Sequence, residues 1–195
     1  EDVKVAVTKV GSGGENCDYG LDGSNAVFDG VTITTNSSLY IGYARCNGTY
    51  RNCVINGTYT LYGKSVFENC TFNVSGDVYN IWTWGAKEIS FTNCTFNSDG
   101  KALLLYQEGT NVVTLNVTDC TFNDKGGLTA KKAAIEIGDA PYGAKPIYNL
   151  NVTNTLVNGY EINDEGISTG TTLWGNKNSM SKEKLNVVVD GVDVY

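Results

Sequence analysis

The side chains that could carry chemistry in this 195-residue chain are few, and one absence narrows them at once: there is no histidine. Without imidazole the commonest general base is missing, and Ser-His-Asp triads, Cys-His dyads and histidine-bound zinc are excluded. Six cysteines remain as nucleophiles or soft ligands. Cys53, Cys70, Cys94 and Cys120 each follow an Asn or Asp and precede a Thr or Val, while Cys17 and Cys46 stand outside that setting. Asp77, Asp99, Asp124, Asp139 and Asp164 lie in turn-like stretches, where a carboxylate ordinarily caps its own backbone. A carboxylate pair brought together from distant segments for glycoside cleavage is the competing role.

Aromatic residues supply the other candidate chemistry, which is recognition. Rings stack on sugars and anchor protein interfaces. Tyr62, Tyr79, Trp82, Trp84, Tyr106, Tyr142 and Trp174 are the candidate binding residues, and the stretches 138–146 and 166–184 are candidate binding loops. Alternation along a strand sends half of such rings into the core. Aligned on the glycines that follow, Trp84 falls with Ile41, Tyr62, Ile137 and Trp174, so inward and outward placements both stay open.

The elements that must position these residues are set by a repeat. Tyr50-Arg51-Asn52-Cys53-Val54-Ile55-Asn56 recurs as Phe67-Glu68-Asn69-Cys70-Thr71-Phe72-Asn73, Phe91-Thr92-Asn93-Cys94-Thr95-Phe96-Asn97 and Val117-Thr118-Asp119-Cys120-Thr121-Phe122-Asn123. Degenerate copies centre on Gly30, Thr155 and Gly191, so the markers fall at 30, 53, 70, 94, 120, 155 and 191, with steps of 23, 17, 24, 26, 35 and 36. A period near 24 with late insertions fits one coil per copy of a solenoid. Seven layers at the strand spacing of about 4.8 Å would stand roughly 30 Å tall.

Within a copy, Ile89 and Phe91 share one face and Cys94 and Phe96 another after a phase break at Thr92-Asn93. A corner there needs a residue tolerant of positive φ, and Asn or Asp is the best non-glycine choice. Asn52, Asn69, Asn93, Asp119 and Asn154, with Asp29 and Asp190 at the ends, are expected to stack as a corner ladder. Second strands are expected at 38–41, 58–62, 78–84, 102–106, 133–137 and 171–174, most ending at a glycine corner: Gly42, Gly63, Gly85, Gly138 or Gly175. No apolar period of 3.6 persists, and the Thr, Val and aromatic content favours strands. Residues 1–24 read as an N-terminal cap ahead of one domain over 25–195.

Cys53, Cys70, Cys94 and Cys120 then point inward as a column of buried free thiols, because side chains in register run parallel rather than toward one another. Four thiolates in a line make no tetrahedron, so no zinc site and no other metal or cofactor is expected. Cys17 and Cys46 are free or joined. A disulfide between them would close a loop of about 28 residues, stabilise by roughly 3 kcal/mol and accord with an exported location.

These tandem strand–Asn–Cys–Thr–Phe–Asn units resemble the right-handed parallel β-helix of the pectin-lyase-like superfamily. More closely, they resemble extracellular, cell-surface β-helix proteins of bacteria. The resemblance covers about 25–195 and implies an all-β fold with irregular loops in the C-terminal half. Glycosidases of that superfamily carry Gly-His-Gly and Arg-x-Lys motifs, and neither occurs here; its lyases use a catalytic arginine with a calcium-binding acidic cluster. Arg45 and Arg51, the two arginines, have no such cluster at matching positions. The expectation is therefore a non-catalytic binding module, secreted or surface-displayed, for a host or environmental protein (a secreted protein such as an immunoglobulin) or a glycan. A polysaccharide lyase or glycoside hydrolase is the alternative.

Composition trims the partner list. Fourteen Lys and Arg against 21 Asp and Glu leave a net charge of −7, which argues against nucleic acid as a ligand. Apolar runs are far shorter than the roughly 20 residues of a membrane span, so no membrane insertion is expected. Thr71, Thr95 and Thr121 form an outward column like that of an ice-binding face, but Val54 and Leu156 interrupt it. Sequons at Asn69, Asn73 and Asn93 fall inside the corner motif and read as by-products of it.

Overall fold

The computed structural model describes residues 4–7, 18–19, 22–35, 43–107, 112–128, 132–139, 146–162 and 169–195. Among them the chain is all strand and turn, and no helix is long and apolar enough to cross a membrane. One sheet holds seven parallel strands in the order Lys4–Val7, Thr32–Thr35, Val54–Asn56, Thr71–Asn73, Thr95–Ser98, Thr121–Asp124 and Leu156–Asn158. The expected cap thus contributes a parallel strand of its own at Lys4–Val7.

The second sheet runs through Asp22–Asp29, Tyr43–Arg51, Tyr59–Glu68, Ile81–Thr92, Val112–Thr118, Ile147–Thr153 and Leu185–Val189, again in parallel. It forks at Ile81–Thr92. Ile81 and Trp82 pair with Leu103 and Leu104, whereas Glu88 through Thr92 pair with Thr114 through Thr118. The first branch continues through Leu103–Gln107, Ile135–Asp139 and Trp174–Asn176.

Corners and core follow the repeat. Asn52, Asn69, Asn93, Asp119, Asn154 and Asp190 have φ of 52°, 55°, 51°, 55°, 46° and 49°. In the first copy the corner falls on Gly30, at 65°, rather than on the expected Asp29, which pairs with Arg51 in the strand before it. Ile89, Phe91, Cys94 and Phe96 are all buried. Equivalent residues meet without slip, so Phe72, Phe96 and Phe122 are register partners whose rings stack at 4.7 and 4.6 Å. A second column, Phe28–Tyr50–Phe67–Phe91, stacks at 4.9, 4.8 and 5.0 Å. These spacings equal the separation of hydrogen-bonded strands, about 4.8 Å, so one register serves backbone and core together.

Three further expectations change. The second strands do not stop at Gly63 and Gly85: Tyr59–Glu68 and Ile81–Thr92 run through them, bending at φ of 60° and 81°. Gly138 and Gly175 are not corners, for they lie inside Ile135–Asp139 and Trp174–Asn176, and the latter strand occupies part of the expected 166–184 loop. At the seventh copy, Asp190 and Gly191 are both left-handed, with φ of 49° and 79°. Two such residues in succession suit a tight hairpin, so Val192–Asp193 folds back antiparallel on Leu185–Val189 and covers its edge. The strand expected at 38–41 lies outside the described residues.

Candidate binding surface

The outer face of the second sheet is assembled by alternation. Ile81, Thr83, Leu103, Leu105, Ile135 and Ile137 are buried, and the residues between them, Trp82, Leu104 and Glu136, point away from that core. Register places these three in one row across neighbouring strands, Trp82 beside Leu104 and Leu104 beside Glu136. Tyr106 is next along its strand, and its ring lies 6.1 Å from Trp82, edge to face. Thr83 fixes that pair. Its hydroxyl donates to Tyr106 O at 2.6 Å and accepts from Tyr106 N at 2.8 Å, replacing a ladder bond where the strands diverge.

Of the seven candidate binding residues, Trp82 and Tyr106 are half-buried and adjacent. Tyr79 is 6% exposed, buried outside the main core cluster against Glu136 and Lys101, so its ring is not presented at the surface. Its hydroxyl donates to the Glu136 carboxylate, and Lys101 Nζ sits 4.5 Å above its ring. Trp174 is 4% exposed and contacts Tyr195 at 5.7 Å, because its register partner is the inward Ile135. The side chains of Tyr62 and Trp84, and all of Tyr142, lie outside the described residues. Cys17 and the Cys46 side chain do as well, so their pairing is not among the described features.

A charged cluster missed in the sequence borders the platform. Glu136 is fully buried, with Lys132 Nζ at 3.3 Å and Lys177 Nζ at 3.9 Å. A Cβ on Gly138 would stand 3.5 Å from Lys177 Cδ and 3.9 Å from Leu104 Cδ1, which places the lysine stem beside the row. Beyond Tyr79, Lys101 Nζ lies 2.5 Å from Asp77, and that hydrogen-bonded cation holds the Asp77 carboxyl below its usual range. A glutamate between two isoleucines on a strand was the available signal.

Two amide ladders brace the first sheet, one at the corner that enters its short strands and one where those strands end. Asn52 donates to Asp29 at 2.7 Å, Asn69 to Asn52 at 3.3 Å, Asn93 to Asn69 at 2.8 Å and Asn154 to Asp119 at 2.6 Å. The last residue of the motif builds a further ladder: Asn73 to Asn56, Asn97 to Asn73, Asn123 to Asn97 and Asn158 to Asn123, at 2.9–3.0 Å. Each amide both donates and accepts, so one residue type repeats indefinitely.

Under the first ladder, Cys53, Cys70, Cys94 and Cys120 are free thiols, each 1% exposed. Each Sγ meets the carbonyl two residues back (Arg51, Glu68, Thr92 or Thr118, at 3.1–3.4 Å) and one on the preceding layer (Phe28, Tyr50, Phe67 or Phe91, at 3.5–3.6 Å). The four therefore point the same way. Hydrogen bonding to Cys120 and Cys70, then burial, pushes the Cys94 thiol up. Among the described residues no group of three or more His, Cys, Asp or Glu side chains is arranged to hold a metal ion.

Comparison with protein-family models, curated proteins and solved structures returns no match.

Proposed function

We propose that this chain is a right-handed parallel β-helix of the pectin-lyase-like kind that works outside a bacterial cell as a binding module, without catalysis. The ligand is a glycan, held by stacking on the outward Trp82–Tyr106 pair. That pair is the observation that carries the reading: two rings 6.1 Å apart on one sheet face, with Leu104 alongside and a hydroxyl fixing their spacing. Rings presented this way offer apolar area to the faces of sugar rings at little entropic cost. The lack of histidine supports binding over turnover. Arg51, contrary to expectation, does have acidic register neighbours, Asp29 and Glu68, and is held by Glu68 at 2.6 Å in an exposed ion pair.

A glycan array read beside a pull-down from host secretions tests it. Trp82→Ala and Tyr106→Ala should each weaken the recovered glycan at least tenfold while leaving the circular dichroism unchanged. Recovery of a host protein, an immunoglobulin for example, insensitive to both changes would move the site elsewhere. Turnover of a pectin, alginate or glycosaminoglycan, with calcium or without, would replace the binding reading by the lyase or hydrolase one.

A further inference from the structure

The thiol column has a geometry of its own. Its four sulfurs stand at equivalent positions on successive layers and share one orientation, shown by the repeated carbonyl contacts. Neighbouring sulfurs are therefore separated by about one strand spacing, about 4.8 Å. A zinc–thiolate bond is about 2.3 Å, and two metal–sulfur bonds of comparable length placed end to end span about 4.6 Å. The line that cannot build a tetrahedron is thus matched to an ion with two ligands in line. Soft sulfur ligands select such ions, Cu(I) foremost.

We propose that Cys53, Cys70, Cys94 and Cys120 form a site for soft, two-coordinate monovalent cations, Cu(I) or Ag(I), each held between the thiols of two adjacent layers. Binding breaks one S–H bond and makes one metal–thiolate and one metal–thiol bond; the proton leaves to solvent and no electron moves. The pair stays neutral, which a buried site requires. Four sulfurs make two such pairs, Cys53 with Cys70 and Cys94 with Cys120. The ion reaches them through local opening at the corner, where each cysteine directly follows an exposed residue: Asn52, Asn69, Asn93 or Asp119.

The test separates adjacency from thiol number. In a parent with Cys17 and Cys46 both changed to serine, Ag(I) is added without oxygen or chloride and uptake is read by native mass spectrometry and by the sulfur-to-metal absorption band. The parent should take two ions. Cys53→Ala/Cys70→Ala leaves two thiols on adjacent layers and should take one; Cys70→Ala/Cys120→Ala leaves two thiols two layers apart and should take none. Equal uptake by the two double variants overturns the proposal. Valine replaces alanine where a variant fails to fold, and X-ray absorption on the loaded parent gives an answer without any core variant. Two sulfurs in line are expected there, and three or more ligands, or nitrogen and oxygen neighbours, would refute the site.

Discussion

The corner that leads into the first sheet and the cluster that lies beyond the sheet's far end are built on opposite principles. At the Asn corner, entering the sheet, one residue type recurs layer after layer, and Asn52, Asn69 and Asn93 repeat the same φ and the same amide bond. Past the other end, beyond the second Asn ladder and toward the forked branch of the second sheet, Tyr79, Lys101, Lys132 and Glu136 each appear once and are tied across layers by hydrogen bonds and charge. Repetition gives stiffness without identity. A unique cluster gives a place on the stack that a ligand can tell from its neighbours, and the Trp82–Tyr106 platform lies beside that cluster. The contrast predicts that damage to repeating features costs stability and spares recognition, whereas damage at the irregular end costs stability and recognition together.

The largest effect should come from the repeating core. Phe96 touches Phe72 at 4.7 Å, Phe122 at 4.6 Å and Phe91 at 5.1 Å, in the middle of two ring columns. Phe96→Ala should cost about 3–5 kcal/mol, read as a fall in the urea midpoint at unchanged slope. Any variant that remains folded should retain ligand binding. Next comes Glu136→Ala, which strips a fully buried carboxylate from Tyr79 and two lysines. A loss of about 3 kcal/mol is expected, because Lys132 is left partly enclosed without its partner, and binding at the platform should fall with it.

The difference in how far each end could be read from the sequence has the same physical root. Corner residues announce themselves because a left-handed backbone demands Asn, Asp or Gly locally, and because in-register stacking makes the demand recur; Asn93 and Cys94 were legible on both counts. Tyr79 and Glu136 lie 57 positions apart in the chain, and no local rule relates them. Parity showed that Trp82 and its neighbours alternate, but the phase depends on where the strand bends, and Gly85 bends Ile81–Thr92 without ending it. Trp174 stayed open in the same way: its glycine aligned it with Ile137, whereas the register pairs it with Ile135, and both of those positions are buried. Asn56, Asn73, Asn97 and Asn123 were visible as a repeated residue, though their role as a second ladder needed the neighbouring layer.

A smaller effect distinguishes the two contributions at the corner itself. Asn93→Ala puts a Cβ residue with little tolerance for the left-handed region at φ 51° and removes an amide bond, for a loss of about 2 kcal/mol. Asn93→Gly keeps the backbone relaxed and should lose only about half of that. If the two variants unfold at the same temperature, the ladder bonds rather than the φ preference dominate. Asp119 offers the reverse experiment, since a carboxylate accepts but cannot donate, leaving Asn93 without an amide donor from the layer above. Asp119→Asn should join the two runs and raise the melting temperature by a degree or two.

The smallest effect lies at the outer margin of the irregular end. Lys101 Nζ, 2.5 Å away, holds the Asp77 carboxyl below its ordinary range, so the folded state binds that proton less readily than the unfolded chain does. The stabilisation is therefore complete above the unfolded value, near pH 4, and fades as the pH falls through the lowered folded value. Asp77 is 77% exposed, so screening limits the pair to about 0.5 kcal/mol, less in high salt. Asp77→Asn should melt slightly below the parent at pH 7, with the two curves converging on acidification. Lys101, 5% exposed, remains over the Tyr79 ring in both proteins. A gap that persisted in full at pH 2 would mean that Asp77 acts through turn geometry rather than charge, and that the irregular end is organised by its backbone more than by its ion pairs.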